Sequence, residues 1–243
     1  MKILRIIARL NVGGPARHVL WLTKGLNDGE FTSKLIAGTV PPGEEDMAYL
    51  AAELGVEPTY IREMSRELSY RDVVSIFKAY NELRQFAPDI VHTHTAKAGT
   101  VGRIAAFAYK WLTPGTLVGR PRRVKVVHTF HGHVFHSYYG KTKTRIFLFI
   151  ELMLALFATD RIFFISEQQL KEINGTFGVG RADQFTVIPL GIDLEPFTKL
   201  PLRPPDEHSG FTVGFVGRLT EIKNIPLLFS AAARYKKLEN APL

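Results

Sequence analysis

Residues 123–136 read RVKVVHTFHGHVFH, a β-branched run of Val124, Val126 and Val127 around Lys125 that breaks off into histidine-rich chemistry. Such a run suits a largely buried strand, and Gly132 lets the backbone turn sharply or approach a ligand closely. In open α/β sheets, ligands are met beyond the carboxyl ends of strands. His131 therefore stands where a substrate is expected.

Working outward, the same grammar repeats on both sides. Residues 3–8 form a short apolar strand, followed by the loop RLNVGGPARHV and a helical periodicity through Val19, Leu20, Leu22 and Leu26. Gly13 and Gly14 leave backbone N–H groups unshielded and Pro15 suits a first helical turn, so the loop can offer donors and a positive helix end to an anion. Neither G-x-G-x-x-G nor the G-K-[ST] ending of a P-loop is present. Strands are expected at 34–38, 60–61 and 90–92, and helices at 44–54 and 70–86. After His92 comes HTHTAKAG, where Ala98, Gly99 and Gly102 would let a helix approach the sheet closely. The spacing of His92 and His94, with no acidic neighbour, favours hydrogen-bonding roles over metal binding.

Beyond residue 136, residues 141–159 carry IFLFIELMLALF, too short for a membrane span and interrupted by Glu151. A helix buried against the sheet is expected, with an interfacial helix on lipid as the alternative. A strand at 161–166, a helix at 167–177 and a strand at 185–188 follow. Alternating elements of this length predict α/β architecture: a Rossmann-like parallel sheet with helices on both faces, joined by right-handed crossovers. This first domain spans 1–196. A proline-rich passage, 197–210, reads as a linker. From Phe211 one strand and one helix reappear, which cannot bury their apolar faces alone, so 211–243 reads as the incomplete start of a second Rossmann-like domain, truncated at Leu243.

The chain has 243 residues, 46% of them hydrophobic, enough for a full core. There is no cysteine, so disulfide and thiolate chemistry are excluded. Arg5 and Arg9 interrupt the apolar start where a secretory signal needs continuity, so the cytoplasm is expected, with peripheral attachment to the inner face of the cell membrane. The net charge is +8, and residues 90–150 hold no Asp or Glu but ten Lys or Arg and six of the eight histidines. Anionic partners follow from that asymmetry.

Taken together, GGPARHV at 13–19, HTHTAKAG at 92–99, VVHTFHGHVF at 126–135, TDRIFFIS at 159–166, IPLGID at 188–193 and VGRLTEIKN at 216–224 resemble the family 4 retaining glycosyltransferases. These enzymes have the GT-B fold, two Rossmann-like domains facing across a cleft. The resemblance implies transfer of a sugar from a nucleotide diphosphate donor, here a UDP-sugar, with retention and without a bound metal or other cofactor. It matches Arg218 and Lys223 to the pair that clamps the donor diphosphate, and Gly13 and Gly14 to the loop near donor phosphate and acceptor. His131 matches the histidine at the donor–acceptor junction, with a positioning and charge-stabilising role. Arg17, His18, His94, Lys97, His133 and Ser166 are assigned to the acceptor side of the cleft. The pattern is similar to enzymes that extend lipid-linked precursors of bacterial surface polysaccharides, so a lipid-linked or polysaccharide acceptor is implied. The family's Glu-x7-Glu motif would lie beyond Leu243, and the chain alone is expected to transfer sugar weakly or not at all.

Three rivals stand beside this reading. One is a non-catalytic half that binds acceptor or membrane. The string from His131 to His136 resembles the H-x-H-x-D-H ligands of zinc hydrolases, but Phe135 replaces the aspartate and removes a ligand. A nucleic-acid binder would account for the charge, yet no RNA or DNA module is recognisable, so no nucleic-acid partner is expected.

Overall fold

The computed structural model describes residues 1–64, 70–132, 140–199, 213–217, 219 and 221–237. Two compact units divide at Gly191 and Ile192.

The first unit is built on a seven-stranded, fully parallel sheet in the order β3-β2-β1-β4-β5-β6-β7. Its strands are β1 (Lys2–Ile7), β2 (Thr32–Gly38), β3 (Thr59–Ile61), β4 (Ile90–His94), β5 (Lys125–Phe130), β6 (Arg161–Phe164) and β7 (Phe185–Val187). Between them run α1 (Gly14–Gly25), α2 (Ala48–Glu53), α3 (Arg71–Phe86), α4 (Ala96–Trp111), α5 (Lys141–Phe157) and α6 (Glu167–Leu170). The expected α/β class is what the chain adopts. Strands buried on both faces read as near-continuous apolar runs, which is why β1 and β5 were legible without alternation.

Three apolar clusters fill the two faces. Leu4, Ile6, Val91 and Val126 meet α3 and α4 on one face, and Phe130, Ile162 and Phe164 meet α5 and the turn after α6. On the other, Ile7, Leu35 and Ala37 meet Val19 and Leu20 of α1 and Ala51 of α2. The fit of α4 to the sheet is closest. A Cβ added to Gly102 would stand 2.6 Å from Thr93 Cγ2 and 2.9 Å from Ile6 Cδ1, and one on Gly99 would stand 2.6 Å from His128 Cε1. That is the close approach expected from the small residues.

Polar groups are threaded through this contact. Arg103 of α4 is fully buried; its Nη2 donates to Glu151 of α5 at 2.7 Å, and its Nη1 lies 2.6 Å from the other carboxylate oxygen. Glu151, which interrupts the apolar run in the sequence, is thus the buried partner that ties α5 to α4. The rest of α5 packs one side only, through Leu148, Leu152 and Ala155, and leaves Ile146, Phe149 and Phe157 exposed.

Several boundaries differ from expectation for physical reasons. Residues 44–47, expected to begin a helix, instead run beside the loop after β1. Val12 N–H donates to Glu45 O, Met47 N–H donates to Leu10 O, and Arg9 pairs with Glu44 at 2.7 Å. β4 and β5 each extend to more residues than their apolar runs, because His92, Thr93, His94, His128 and Thr129 are buried and hydrogen-bonded inside the sheet. The helix at 167–177 holds four α-helical residues before a wider turn, Lys171–Thr176. No described helix is long and apolar enough to cross a membrane.

In the second unit, α7 (Glu195–Thr198) and α8 (Ile225–Lys236) form, with Pro226 in the first turn of α8 as expected. Of the strand expected from Phe211, residues 213–217 carry no regular element, and Phe211 and Thr212 lie outside the described residues.

Overpacking costs about 1–3 kcal/mol where nothing can yield. Gly102→Val is therefore expected to lower stability by about 2–3 kcal/mol, since its branched side chain meets both Thr93 and Ile6. A lower urea midpoint at unchanged slope would register it.

Candidate functional site

The strand register decides which side chains meet. Ile7 lies beside His94, and His94 beside Thr129, so the carboxyl ends of β1, β4 and β5 finish level with one another. One step earlier Arg5 neighbours His92, and His92 neighbours Val127. Paired residues in a sheet share a face, so Arg5, His92 and His94 project to the same side, the one that α1 covers from β1.

There they form an imidazole cluster. His94 Nδ1 is 3.0 Å from His131 Nε2, the His92 and His94 rings lie 4.0 Å apart between centroids, and His18 of α1 meets His131 edge-on at 5.4 Å. His92 Nε2 is 2.7 Å from Thr129 Oγ1. Burial pushes the His131 pKa down to about 4, with the nearby His18 adding to the effect. Burial likewise lowers His18, followed by the charge of Arg5, and it holds His92 and His94 well below the ordinary range. At neutral pH these rings are uncharged.

Neutrality fixes what the His94–His131 pair offers. A neutral imidazole has one N–H and one bare nitrogen, so the shared contact uses the donor of one ring and the acceptor of the other. The outward atoms, His94 Nε2 and His131 Nδ1, are buried and have no hydrogen-bond partner among the described residues. One of them must be a donor and the other an acceptor. Buried polar atoms are ordinarily satisfied, so a pair left open at strand ends is suited to a ligand's hydroxyl or phosphate groups.

Thr95 carries the chain from β4 into α4 at φ 68°, ψ 158°, a region that costs a β-branched residue of order 1–3 kcal/mol. Its hydroxyl is also buried without a partner among the described residues. Strain and an open hydrogen-bonding group thus coincide beside His94.

Across from this corner, the loop after β1 enters α1 through Gly13 and Gly14. Among the described residues a Cβ on Gly14 would meet nothing within 4 Å, and one on Gly13 would make only ordinary contacts. No described residue fills that space, and none caps the first-turn N–H groups of α1 with a side chain. Arg5 supplies charge from below: buried, donating to Ser33 Oγ at 2.8 Å, its pKa lowered by burial to about 10, it stays protonated at neutral pH. The corner is electropositive although its histidines are not.

Of the residues singled out in the sequence, His18, His94, His131, Gly13 and Gly14 belong to this end of the sheet. Others are drawn elsewhere. The Lys97 ammonium, expected in the cleft, is buried 2.5 Å from the Asp72 carboxylate of α3, because a buried charge needs a counter-charge. The exposed Arg17 stacks over Trp21 one turn along α1, at 5.6 Å. Ser166 caps α6, accepting from Gln169 N–H at 3.2 Å, as short polar residues do at helix starts. Lys223 is an exposed residue of the second unit, in the turn Glu221–Lys223. His133 and Arg218, with the rest of the zinc-like string to His136, lie outside the described residues. Among the described residues no group of three His, Asp or Glu could hold a metal ion. Arg5 and Thr95 were not anticipated. An arginine inside the apolar run KILRII was a usable signal; a threonine in a strained turn left none.

Residues 12–196 match the model of Glycosyltransferase Family 4. A curated Escherichia coli protein, UDP-Gal:alpha-D-GlcNAc-diphosphoundecaprenol alpha-1,3-galactosyltransferase, is 34% identical over 188 residues, 74% of this chain and 45% of that protein. The chain therefore spans less than half the length of this curated relative. Among solved structures, the lipopolysaccharide outer core galactosyltransferase WaaB superimposes with a TM-score of 0.59 at 16% identity, over 96% of this chain and 58% of the other. Anabaena Alr3699/HepE in complex with UDP and glucose gives 0.54 at 20% identity, over 80% and 45%. At these identities the structural likeness concerns the fold.

The lowered histidine pKa sets a pH dependence. The unfolded chain protonates His131 near 6.5 and the folded chain only near 4, so the unfolded state binds more protons between these values and stability falls as pH falls through that window. His131 alone should account for about 3 kcal/mol of the loss, at 1.36 kcal/mol per pKa unit. Denaturant titrations from pH 7 to about pH 4 should show a shallower decline for His131→Gln than for the wild type.

Proposed function

Because the chain belongs to glycosyltransferase family 4, whose model it matches over residues 12–196, we propose that it forms the acceptor-side half of a retaining glycosyltransferase using a UDP-sugar donor and a lipid-linked or polysaccharide acceptor. The observation that carries this reading is the His94–His131 pair, neutral, buried and, among the described residues, without a partner at either outer end, beside the start of α1. The curated relative acts, by its name, on UDP-galactose and a diphosphoundecaprenol-linked acceptor, which favours that donor and acceptor class here.

In this reading the anomeric carbon–phosphate oxygen bond breaks while the acceptor oxygen bonds on the same face, and the acceptor proton passes to the departing diphosphate. Charge accumulates on that diphosphate. Gly13, Gly14 and the first turn of α1 offer N–H groups to it, and Arg5 adds a fixed positive field. His131, with a pKa near 4, is too weak a base to take a hydroxyl proton at pH 7. Its role is to hold a sugar hydroxyl in place, with its tautomer coupled to that of His94. His18 lines the same corner, and no bound metal is required. The reaction takes place at the cytoplasmic face of the membrane, where the protein is peripheral and the acceptor presents its head group.

The test is transfer of radiolabelled sugar from UDP-galactose, UDP-glucose and UDP-N-acetylglucosamine to a polyprenyl diphosphate-linked sugar in detergent, using the complete protein. Transfer from one of these donors is expected to persist in EDTA. His131→Ala should lower kcat about 100-fold, the scale expected when the sugar is no longer held in its reactive position. No transfer from any UDP-sugar, or an unchanged rate in His131→Ala, would overturn the reading.

A further inference from the structure

Among the described residues, three that are not glycine have positive φ, and two of them, Ala87 and Asn224, sit in the left-handed helical region that ordinary side chains can enter. Thr95 does not. At φ 68°, ψ 158° it occupies a region that is essentially reserved for glycine. The close seating of α4 on the sheet accounts for this backbone, because the chain has a single residue in which to pass from β4 to the helix. It does not account for the threonine. Glycine would make the same turn without strain, so something done by the side chain must offset the cost.

That something lies outside the helix it begins. A threonine at the N-cap ordinarily accepts a hydrogen bond from a first-turn N–H, and Thr95, the N-cap residue of α4, makes none. Its hydroxyl is buried and has no hydrogen-bond partner among the described residues. Buried threonines elsewhere in the unit behave differently. Thr23 and Thr159 donate to the carbonyls of Val19 and Leu154 at 2.7 and 2.8 Å, and Thr93 and Thr129 bond His128 and His92 at 2.8 and 2.7 Å.

Position and chemistry name the ligand. β4 lies between β1 and β5, so Thr95, one residue past its end, stands between the glycine loop that follows β1 and the His131 that follows β5. A hydroxyl both donates and accepts, and the neutral His94–His131 pair presents one donor and one acceptor. Such an uncharged set complements sugar hydroxyls, which also do both, whereas a phosphate ester offers acceptors alone.

We propose that Thr95 is a substrate-contacting residue whose hydroxyl binds a sugar hydroxyl of the donor or the acceptor, and that its strained backbone is retained because this contact needs a side chain at the turn. The inference deepens the glycosyltransferase reading and rests on it. It makes Thr95 a position where stability is given up for function.

Three variants of the complete protein separate this role from a structural one. Thr95→Val keeps the shape and the branching but removes the hydroxyl, so its urea midpoint should equal or exceed that of the wild type. Its kcat/KM for transfer from the UDP-sugar that serves the wild type to a polyprenyl diphosphate-linked sugar should fall about tenfold, the scale of one lost hydrogen bond. Thr95→Ser keeps the hydroxyl and should transfer at close to the wild-type rate. Thr95→Gly relaxes the turn, so its midpoint should hold or rise while transfer falls as for valine. A higher KM for the lipid-linked sugar assigns the contact to the acceptor, a higher KM for the UDP-sugar assigns it to the donor, and a lower kcat alone places it in the transition state. Wild-type transfer by the valine variant, a loss in the serine variant equal to that of valine, or a lower midpoint in the valine or glycine variant would overturn the proposal. If the wild type transfers no sugar, the glycosyltransferase reading falls and this one with it; if the wild type transfers and valine changes nothing, only this one falls.

Discussion

The absence of side chains at Gly99 and Gly102 is the constraint from which most of the first unit follows. With nothing interposed, α4 settles onto β1, β4 and β5, and its start is fixed directly against the end of β4. The chain then has one residue, Thr95, in which to turn from strand to helix, and it does so in a conformation that threonine tolerates poorly. Close packing of α4 also encloses Arg103, and a buried guanidinium demands a carboxylate. Breaking such a pair on one side typically costs about 3–5 kcal/mol. Glu151 is therefore as much a consequence of the two glycines as the turn is, and it carries the constraint from α4 into α5.

The fold was open to reading because parallel strands buried on both faces declare themselves as apolar runs, punctuated by glycine and proline. What escaped was polar and buried. The histidines and threonines at the ends of β4 and β5 look like loop residues, although hydrogen bonds to one another let them continue the strands. Residues 44–47 have helical composition, yet they brace the glycine loop through backbone pairing that depends on a partner thirty-odd positions away. In the site, His94, His131, Gly13 and Gly14 were visible through motif and position. The pairing of Lys97 was not legible because its partner Asp72 comes from another helix, outside the acid-free segment that made the lysine look available. Arg5 was noticed only as an interruption of an apolar start, since a strand arginine gives no hint by itself of which face it will occupy.

Electrostatics at the carboxyl end of the sheet combine two properties that are usually opposed. Burial keeps the imidazoles neutral, and a single deep guanidinium together with a helix start keeps the potential positive. Protonated histidines would attract an anion more strongly but would lose their acceptor nitrogens. Keeping charge on Arg5 and hydrogen-bonding versatility on the rings assigns attraction and orientation to different residues.

The contact between His94 Nδ1 and His131 Nε2 has a further consequence. With a single proton between two neutral rings, the hydrogen-bond polarity of the outer nitrogens is complementary by necessity. A group that accepts a proton from His131 Nδ1 thereby makes His94 Nε2 an acceptor, and one that donates to His131 turns His94 into a donor. Occupancy at one end of the pair is thus announced at the other without any atom heavier than hydrogen changing place. The two histidines behave as a one-bit wire between neighbouring positions in the pocket.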